Sequence, residues 1–112
     1  MTPKPPYCAV IFTSQRTDDP DEEYVATAQR MATLAAEQPG FLGMESVRDN
    51  NGFGITVSYW QDEGAIKAWK AHEEHQAVQR LGKEKWYQNY TIRISGVERA
   101  YHFKKDINGC FR

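Results

Sequence analysis

The sequence predicts an α+β fold, a ferredoxin-like chain of order β-α-β-β-α-β whose antiparallel sheet carries both helices on one face. The prediction rests on an apolar first strand, a hairpin signal near the middle of the chain, and helical spacing on either side of that hairpin. The other face of the sheet would be bare in a monomer. We therefore expect two sheets to face each other across a two-fold axis, as a dimeric α+β barrel.

Alternating apolar residues predict the first strand, and turn-forming residues predict the start of the first helix. Tyr7 to Arg16 has apolar residues on both alternating sets, which predicts a strand buried on both faces. Thr17 to Pro20 is typical of a turn, with Asp18 or Asp19 as helix cap. The helical stripe consists of Tyr24, Ala28, Met31 and Ala35. The helix should end before Pro39-Gly40.

The middle of the chain predicts a hairpin followed by a helix. Phe41 to Asp49 and Phe53 to Trp60 flank Asn50-Asn51-Gly52, whose Asn-Gly pair suits a tight turn. Asp62 can cap the second helix. The apolar stripe of that helix consists of Ala65, Ile66 and Trp69. We expect these elements to form an antiparallel pair and a short amphipathic helix.

The stripe of the second helix fails one turn beyond Trp69, where polar residues occupy its positions. We expect a break near Ala71 and a second helical piece to about Leu81, with Gly82 as its stop. Alternation from Gln88 to Phe103 predicts the last strand, with a bulge or bend at Gly96.

These elements divide the chain into three parts. Residues 1–6 contain three prolines and predict a disordered lead-in, residues 7–103 form the folded domain, and residues 104–112 are a polar tail that is either loose or reaches a partner. Cys8 and Cys110 lie in neither a CxxC nor a metal-type spacing, so no disulfide framework is expected.

Composition excludes several classes of protein. The chain of 112 residues has 15 acidic and 14 basic side chains, a net charge of −1, and no block of one sign. Nucleic acid is therefore not an expected partner. The longest apolar run, Ala9 to Phe12, is far shorter than a membrane-spanning helix, so we expect no membrane partner and a cytoplasmic protein.

A group of aromatic and histidine motifs resembles a known family. The motifs are Tyr59-Trp60, the Ala-Ile-Lys-Ala-Trp69 stretch, Glu74-His75, Gly82, Trp86-Tyr87 and Tyr90 to Arg93. With the order of elements, they resemble the antibiotic biosynthesis monooxygenase family over Tyr7 to Phe103. The resemblance implies a dimeric barrel with a pocket between sheet and helices in each subunit. Some members oxygenate aromatic polyketides without metal or flavin, and others bind haem and cleave its ring.

The haem-degrading branch, as the resemblance implies, uses an asparagine on the first strand, a tryptophan on the second helix and a histidine nearly three turns later. Here the first strand has no asparagine, Trp69 matches the tryptophan, and Gln79 occupies the histidine position. We therefore expect no cofactor. Haem stays an alternative in which His75 is a displaced ligand, brought into place by the helix break.

Oxygenation without a cofactor needs a base close to the working pH, and histidine has a suitable pKa. His75 and His72 are the candidate catalytic residues. Their spacing of three residues also fits a metal site with Glu73 or Glu74, although no metal is our prediction, and a purely structural role is a further alternative. His102, near the end of the last strand, is expected to be structural.

Aromatic residues predict the walls of a pocket for a flat small molecule. The candidate substrate-binding residues are Trp60, Trp69, Trp86, Tyr90 and Arg93, with Tyr87 as a further aromatic wall. Among these, we expect Trp60 and Tyr90 to line the pocket and Trp69 to belong to the core.

Charged residues on two strands have ambiguous roles. Arg93 and Arg99 fall on one alternating face of the last strand, where a guanidinium could hold an anionic substrate oxygen or form an interface salt bridge. Glu45 and Arg48 on the second strand have a similar ambiguity.

The leading hypothesis is a homodimeric, cofactor-independent oxygenase acting on a small aromatic molecule or one with an acidic C–H bond. The alternatives are a haem-binding monooxygenase, a small-molecule binding module without catalysis, and an isomerase that transfers a proton in the same barrel. No nucleotide loop, nucleophile motif or pair of catalytic carboxylates is present in the sequence.

Overall fold

The computed structural model describes residues 3–18 and 22–105, which form one four-stranded antiparallel sheet and its helices. In chain order the elements are β1 (Tyr7–Arg16), α1 (Glu22–Ala36), β2 (Phe41–Arg48), β3 (Phe53–Trp60), α2 (Glu63–Ala71), α3 (Glu73–Leu81), a π-helical turn (Gly82–Trp86) and β4 (Tyr87–Val97). The strand order is β2-β3-β1-β4. The predicted ferredoxin-like α+β fold is confirmed.

The core lies between the sheet and the helices. Residues directly opposite each other in antiparallel strands project to one face, and Cys8 is opposite Trp60. The buried cluster joins Trp60 to Ala35 of α1 and Ile66 of α2. Partly buried neighbours of this cluster are Cys8, Val10, Phe41, Ala65 and Trp69. Burying these apolar groups holds both helices on one face of the sheet.

The opposite face of the sheet is apolar and open. Val47 is 70% exposed and Phe53 is 45% exposed, and they lie on the same face as Tyr7 and Ala9. Tyr7 packs edge-on against Tyr59, with ring centroids 5.7 Å apart, which helps to bury the start of β1. Most of β1 is only half-buried, so full burial of its two faces would need a further covering layer.

The start of α2 and its break follow the predictions. The Asp62 side chain accepts a hydrogen bond from the Ala65 backbone N–H at 2.8 Å, which satisfies one of the free donors at the helix start. The helix ends at Ala71, and His72 has an extended backbone with φ −60° and ψ 128°. A new helix, α3, begins at Glu73 and ends at Leu81.

α3 ends at Leu81 with Gly82 as its C-cap residue, as predicted, but the chain does not leave the helical path there. The Gly82 φ of −60° and ψ of −44° are ordinary right-handed helical values, and the chain continues in the π-helical turn to Trp86. A Cβ placed on Gly82 would lie 3.0 Å from the ring of Tyr87. The glycine therefore serves close packing against Tyr87, a role that the stop signal of local sequence does not reveal.

The last strand is shorter than its alternation predicts. It ends at Val97, opposite Tyr7 at the start of β1, and the expected extension to Phe103 is wrong because β1 offers no further partner. Gly96 pairs regularly with Cys8, so the bulge predicted there is also wrong. The irregularity in this ladder lies between Gln15 and Arg16.

Several predictions concern the chain ends. Residues 3–6 form neither helix nor strand, while Asp19, Pro20 and Cys110 lie outside the described residues. The division into a lead-in, a domain over residues 7–103 and a tail over residues 104–112 stays a prediction. Within the described ranges, the helices are all too short or too polar to cross a membrane.

Candidate active site

The helix-side face of the sheet is covered unevenly and leaves an exposed apolar strip over β4, called the cleft below. Ile92 is opposite Phe12, and Ile94 is opposite Val10, so all four project toward the helix side. Ile92 and Ile94 are nevertheless 42% and 54% exposed. The floor of this cleft is therefore an apolar surface that a flat ligand can cover.

One end of the cleft is built from a stack of three rings. Trp60 stacks on Trp69 with centroids 6.2 Å apart, and Trp69 stacks on His75 with centroids 4.2 Å apart and an interplanar angle of 12°. Trp60 is fully buried, and its Nε1–H donates to the Ser58 hydroxyl at 2.9 Å. Trp60 is thus a core residue, contrary to the expectation that it lines the pocket, whereas Trp69 is half-buried and packs against the core.

The helix break places His75 in this stack. In a continuous α-helix, residues six positions apart point in directions about 120° apart around the axis. His75 could not then lie flat on Trp69. The extended backbone of His72 redirects the chain so that α3 returns the His75 ring to Trp69. The break is therefore the structural device that positions this histidine.

The hydrogen bond of His75 assigns the tautomer of its neutral ring. Its Nδ1 lies 3.0 Å from the backbone oxygen of Trp69. A carbonyl oxygen only accepts, so the tautomer assigned by this partner has the proton on Nδ1 and a lone pair on Nε2. Burial lowers the pKa of His75 below its usual value, against the opposing effect of the Trp69 hydrogen bond, and the nearby His72 lowers it further. The neutral ring can therefore accept a proton at Nε2.

His72 adjoins the same tryptophan but is held differently. Its ring centroid is 5.6 Å from that of Trp69, and its Nδ1 is buried with no hydrogen-bond partner among the described residues. A buried nitrogen without a hydrogen-bond partner lowers stability. The His72 Nδ1 is therefore a position where a further hydrogen-bond partner would be favourable. The structure thus brings His72 and His75 to one end of the cleft.

An ion pair holds α3 against α1. Arg30 Nε lies 2.9 Å from Glu74 Oε2, and a second nitrogen of the guanidinium lies 3.4 Å from Oε1. Glu74 is consequently engaged and does not complete a metal site with the histidines. In the part of the chain that the structure describes, no three His, Cys, Asp or Glu side chains are close enough to hold a metal ion.

The other end of the cleft has a polar cluster that sequence reasoning missed. Arg48 donates from Nη2 to the Ser14 hydroxyl at 2.9 Å and to the Tyr24 hydroxyl at 3.2 Å, and from Nη1 to the Gly52 carbonyl at 2.6 Å. The Tyr87 hydroxyl donates to that of Tyr24 at 3.3 Å. We define Ser14, Tyr24, Arg48 and Tyr87 as the tyrosine–arginine cluster.

This cluster brings together residues from separate elements. Its members come from β1, α1, β2 and the start of β4, so no local motif marks them in the sequence. Arg16 stacks on the Tyr24 ring, with Cζ 3.6 Å from the centroid. A Cβ on Gly54 would lie 2.5 Å from the Arg48 Cζ, so the glycine leaves room for the guanidinium to cross β3. The glycine at position 54 is thus the one sequence feature that could have pointed to this cluster.

The remaining predicted site residues separate into two groups. Tyr90 stacks on Phe12 at 5.3 Å and joins the cleft, while Trp86 is buried edge-on against Tyr24. Arg93 is opposite Ile11 on the open face, away from the stacked rings. The structure therefore does not bring Arg93 together with His75 within one subunit.

The other polar residues considered from sequence lie apart from the cleft. Glu45 accepts a hydrogen bond from the Tyr59 hydroxyl at 2.7 Å on the open face. Arg99 lies beyond β4 with its guanidinium 5.8 Å from the Tyr101 ring centroid, so it does not share a strand face with Arg93. His102 is exposed.

Two surface depressions lie away from the histidines. One of about 300 Å³ is bordered by residues such as Gly40 and Gly64, and one of about 530 Å³ by residues such as Pro6 and Gly96. Neither contains a histidine or any member of the tyrosine–arginine cluster. The cleft between these two groups has the more suitable chemistry for a reaction.

Comparison with known proteins identifies the family of this chain. The family described as antibiotic biosynthesis monooxygenase matches residues 8–81. The chain belongs to this family. The resemblance recognised from the aromatic and histidine motifs is thereby confirmed.

Relatives of this antibiotic biosynthesis monooxygenase family member cover a range of similarity. Protein YqjZ of Bacillus subtilis, named as uncharacterized, is 50% identical over 107 residues, which are 96% of this chain and 93% of YqjZ. The jasmonate monooxygenase ABM of Pyricularia oryzae is 25% identical over 93 residues, 80% of this chain. The match covers only 42% of that fungal protein.

Solved structures share the fold. SnoaB of Streptomyces nogalater, described as a cofactor-independent oxygenase, superposes with a TM-score of 0.73 at 14% identity. The superposition covers 86% of this chain and 97% of SnoaB. At this identity the likeness shows the family fold and leaves the chemistry to the residues of the cleft.

The haem-degrading set of residues is not assembled here. Gln79 lies on α3 at the position expected for the iron ligand, and its side-chain amide cannot replace an imidazole in that role. His75, the proposed displaced ligand, lies flat on Trp69, and its Nδ1 hydrogen bond leaves Nε2 unengaged. Of the residues that the haem branch uses, the described chain therefore matches only the tryptophan, at Trp69.

Proposed function

We propose that this protein is a cytoplasmic homodimeric monooxygenase that oxygenates a flat aromatic molecule without a tightly bound metal or flavin. The single observation that carries the proposal is the position of His75, anchored at Nδ1 and stacked on Trp69. Membership of the antibiotic biosynthesis monooxygenase family and the monooxygenase names of relatives support it.

The reaction begins with His75 acting as base. A substrate methylene next to a carbonyl loses a proton to Nε2, which forms an electron-rich carbanion. The carbanion transfers one electron to oxygen, and the two radicals combine to give a peroxide. The peroxide takes up the proton from His75 and eliminates water, leaving a new carbonyl. The substrate supplies both electrons for water formation, so no external reductant is consumed.

The aromatic walls serve this chemistry by excluding water. The stack of Trp60, Trp69 and His75 closes the histidine end, and the Phe12 and Tyr90 rings lie over β1 and β4 toward the other end. A flat substrate between them is shielded from solvent, which favours carbanion oxidation over competing side reactions. His72 is a second candidate base because its ring also lies next to Trp69.

The open face of the sheet supports a homodimer. Val47, Phe53 and Leu42 are exposed large apolar residues on or beside this surface. A second copy of the chain would cover the face and form the predicted barrel. The dimer would also place a partner residue such as Arg93 against the opposing sheet.

Oxygen uptake by the purified protein tests the proposed reaction. We expect consumption with anthrone-like or quinol-like compounds, and a fall of about 100-fold in kcat for His75→Ala with a smaller change in KM. The matched control is His102→Ala, which should retain activity because His102 is exposed and outside the cleft. Binding without oxygen uptake would indicate a binding module, and substrate isomerisation without oxygen uptake would indicate an isomerase.

A haemin titration separates the haem branch. We expect no saturable shift of the Soret band at one haem per subunit. A stoichiometric shift that disappears on reduction in air would contradict the proposal and would assign haem degradation instead.

A further inference from the structure

The tyrosine–arginine cluster has a positive charge without an anionic partner in the described chain. Arg48 donates only to neutral oxygens, namely two hydroxyls and two backbone carbonyls. A half-buried guanidinium is better stabilised when a carboxylate or another anion lies close to it. The cluster is therefore suited to bind an anion, since the described residues place no carboxylate on Arg48.

The Tyr24 hydroxyl is the group through which an anion could be bound. Its oxygen accepts hydrogen bonds from Arg48 and from Tyr87. Both bonds polarise the Tyr24 hydroxyl. The proton of that hydroxyl is used in neither bond. Burial raises the pKa of Tyr87, so Tyr87 stays protonated and continues to donate. Tyr24 is thus a strengthened donor for an external acceptor.

The location of Tyr24 fits the cleft. Tyr87 packs edge-on against Phe12 at 5.5 Å, and Phe12 is opposite Ile92 on the apolar floor. Along α1, Tyr24 precedes Arg30 by six residues, an axial rise of about 9 Å. Arg30 in turn holds Glu74, the neighbour of His75. The tyrosine–arginine cluster and the histidine end are therefore linked along α1 on the helix side of the sheet.

We infer that the Tyr24 hydroxyl, supported by Arg48 and Tyr87, binds an anionic oxygen of the substrate at the end of the cleft opposite His75. The ligand class is a flat aromatic molecule with a phenolate, enolate or carboxylate oxygen at its far end. This role deepens the proposed function and rests on it, because it selects which aromatic molecules present their carbon to His75.

Two isosteric ligands test the role of Tyr24 by binding alone. 2-Naphthoate carries a carboxylate, and 2-naphthamide has the same shape without the charge. Titration followed by tryptophan fluorescence should show that the wild-type chain binds 2-naphthoate about tenfold more tightly. Tyr24→Phe should lose most of that preference while keeping the ring that stacks beneath Arg16. The matched control Tyr101→Phe, at a residue 84% exposed, should preserve it.

Each other outcome has a defined meaning. Equal affinities in the wild-type chain, absence of binding of both ligands, or an unchanged preference in a folded Tyr24→Phe variant would overturn the assignment. If Tyr24→Phe fails to fold, Tyr87→Phe serves instead, since it removes one donor to Tyr24 and should reduce the preference about threefold. An unchanged preference in Tyr87→Phe would then overturn the assignment.

The binding test is independent of oxygen chemistry. Tyr24-dependent discrimination without oxygen uptake would support the anion-binding end and contradict the proposed oxygenase. His75-dependent oxygen uptake without Tyr24-dependent discrimination would support the oxygenase and contradict the anion-binding end. The two proposals can therefore fail separately.

Discussion

At the scale of single residues, His75 shows how a common side chain acquires a specific chemical state. Its pKa is lowered chiefly by burial, and its Nδ1 is committed to the Trp69 carbonyl. The sequence predicted His75 as a candidate base but left metal binding and a structural role as alternatives. Its tautomer and ring stacking depend on the position of Trp69, which only the folded chain provides.

The lowered pKa of His75 predicts a pH dependence of stability. The unfolded chain binds a proton near the ordinary histidine pKa of about 6.5, and the folded chain binds it only at lower pH. The contribution of neutral His75 to stability is therefore complete above the ordinary pKa. It is lost as the pH falls through the lower pKa of the folded chain. Thermal melting should show a larger fall in Tm between about pH 8 and pH 5 for the wild-type chain than for His75→Gln.

His102→Gln is the control for that experiment because His102 is exposed. It should retain the pH dependence of the wild-type chain. A His75→Gln variant with an unchanged dependence would show that His75 does not titrate differently in the folded and unfolded states.

Gly54 predicts a second residue-scale effect. Alanine there would place a Cβ against the Arg48 guanidinium, which must move and give up hydrogen bonds to Ser14 and Tyr24. Gly54→Ala should lower the free energy of unfolding by about 1–3 kcal/mol. Gly96→Ala is the matched strand control, since a Cβ there has no neighbour within 4 Å. Equal effects of the two substitutions in urea denaturation would contradict this account.

At the scale of elements, the interrupted helix determines the geometry of the site. α2 is attached to the core through Ile66, and the extended His72 allows α3 to take a new direction. The sequence predicted this break from the failure of the apolar stripe. It could not predict the direction of α3, because that direction depends on contacts such as Arg30 with Glu74 on a different helix.

The Asp62 cap predicts how much the first turn of α2 contributes to stability. Asp62→Ala removes the acceptor for the Ala65 N–H and should reduce the free energy of unfolding by about 1 kcal/mol. Glu63→Gln, in the first turn but without a capping contact, should have a smaller effect. Urea denaturation compares the two. A larger loss for Glu63→Gln would indicate that the helix dipole outweighs the cap.

At the scale of the whole molecule, the sheet has one face covered by helices and one apolar face open. The open face includes Val47, which is 70% exposed on edge strand β2. The predicted barrel would bury this surface between two copies. The alternation of β1 indicated two apolar faces, and within residues 3–18 and 22–105 the helices cover only one of them.

The dimer prediction can be tested by charge substitution on that face. Light scattering of the wild-type chain should give the mass of two subunits. Val47→Lys should shift the mass toward one subunit because a buried ammonium is costly. Val25→Lys on α1, at a residue 56% exposed, is the matched control and should remain dimeric. A monomeric wild-type chain, or a Val47→Lys variant that remains fully dimeric, would count against the barrel.

The sequence by itself determined the order of elements, the hairpin at Asn51-Gly52, the Asp62 cap, the break after Ala71 and the family, because each depends on local propensity or on motifs close in the chain. Tertiary structure decided that Trp60 is core, that β4 ends at Val97 and that Gly82 packs against Tyr87.

The tyrosine–arginine cluster shows the same division most clearly. Tyr24, Arg48 and Tyr87 come from three elements and meet only through the register of the sheet and the position of α1. Local rules act over a few residues, whereas pairing partners and side-chain contacts depend on elements that are distant in sequence. The residues of the proposed anion-binding end therefore come together only where those distant elements meet.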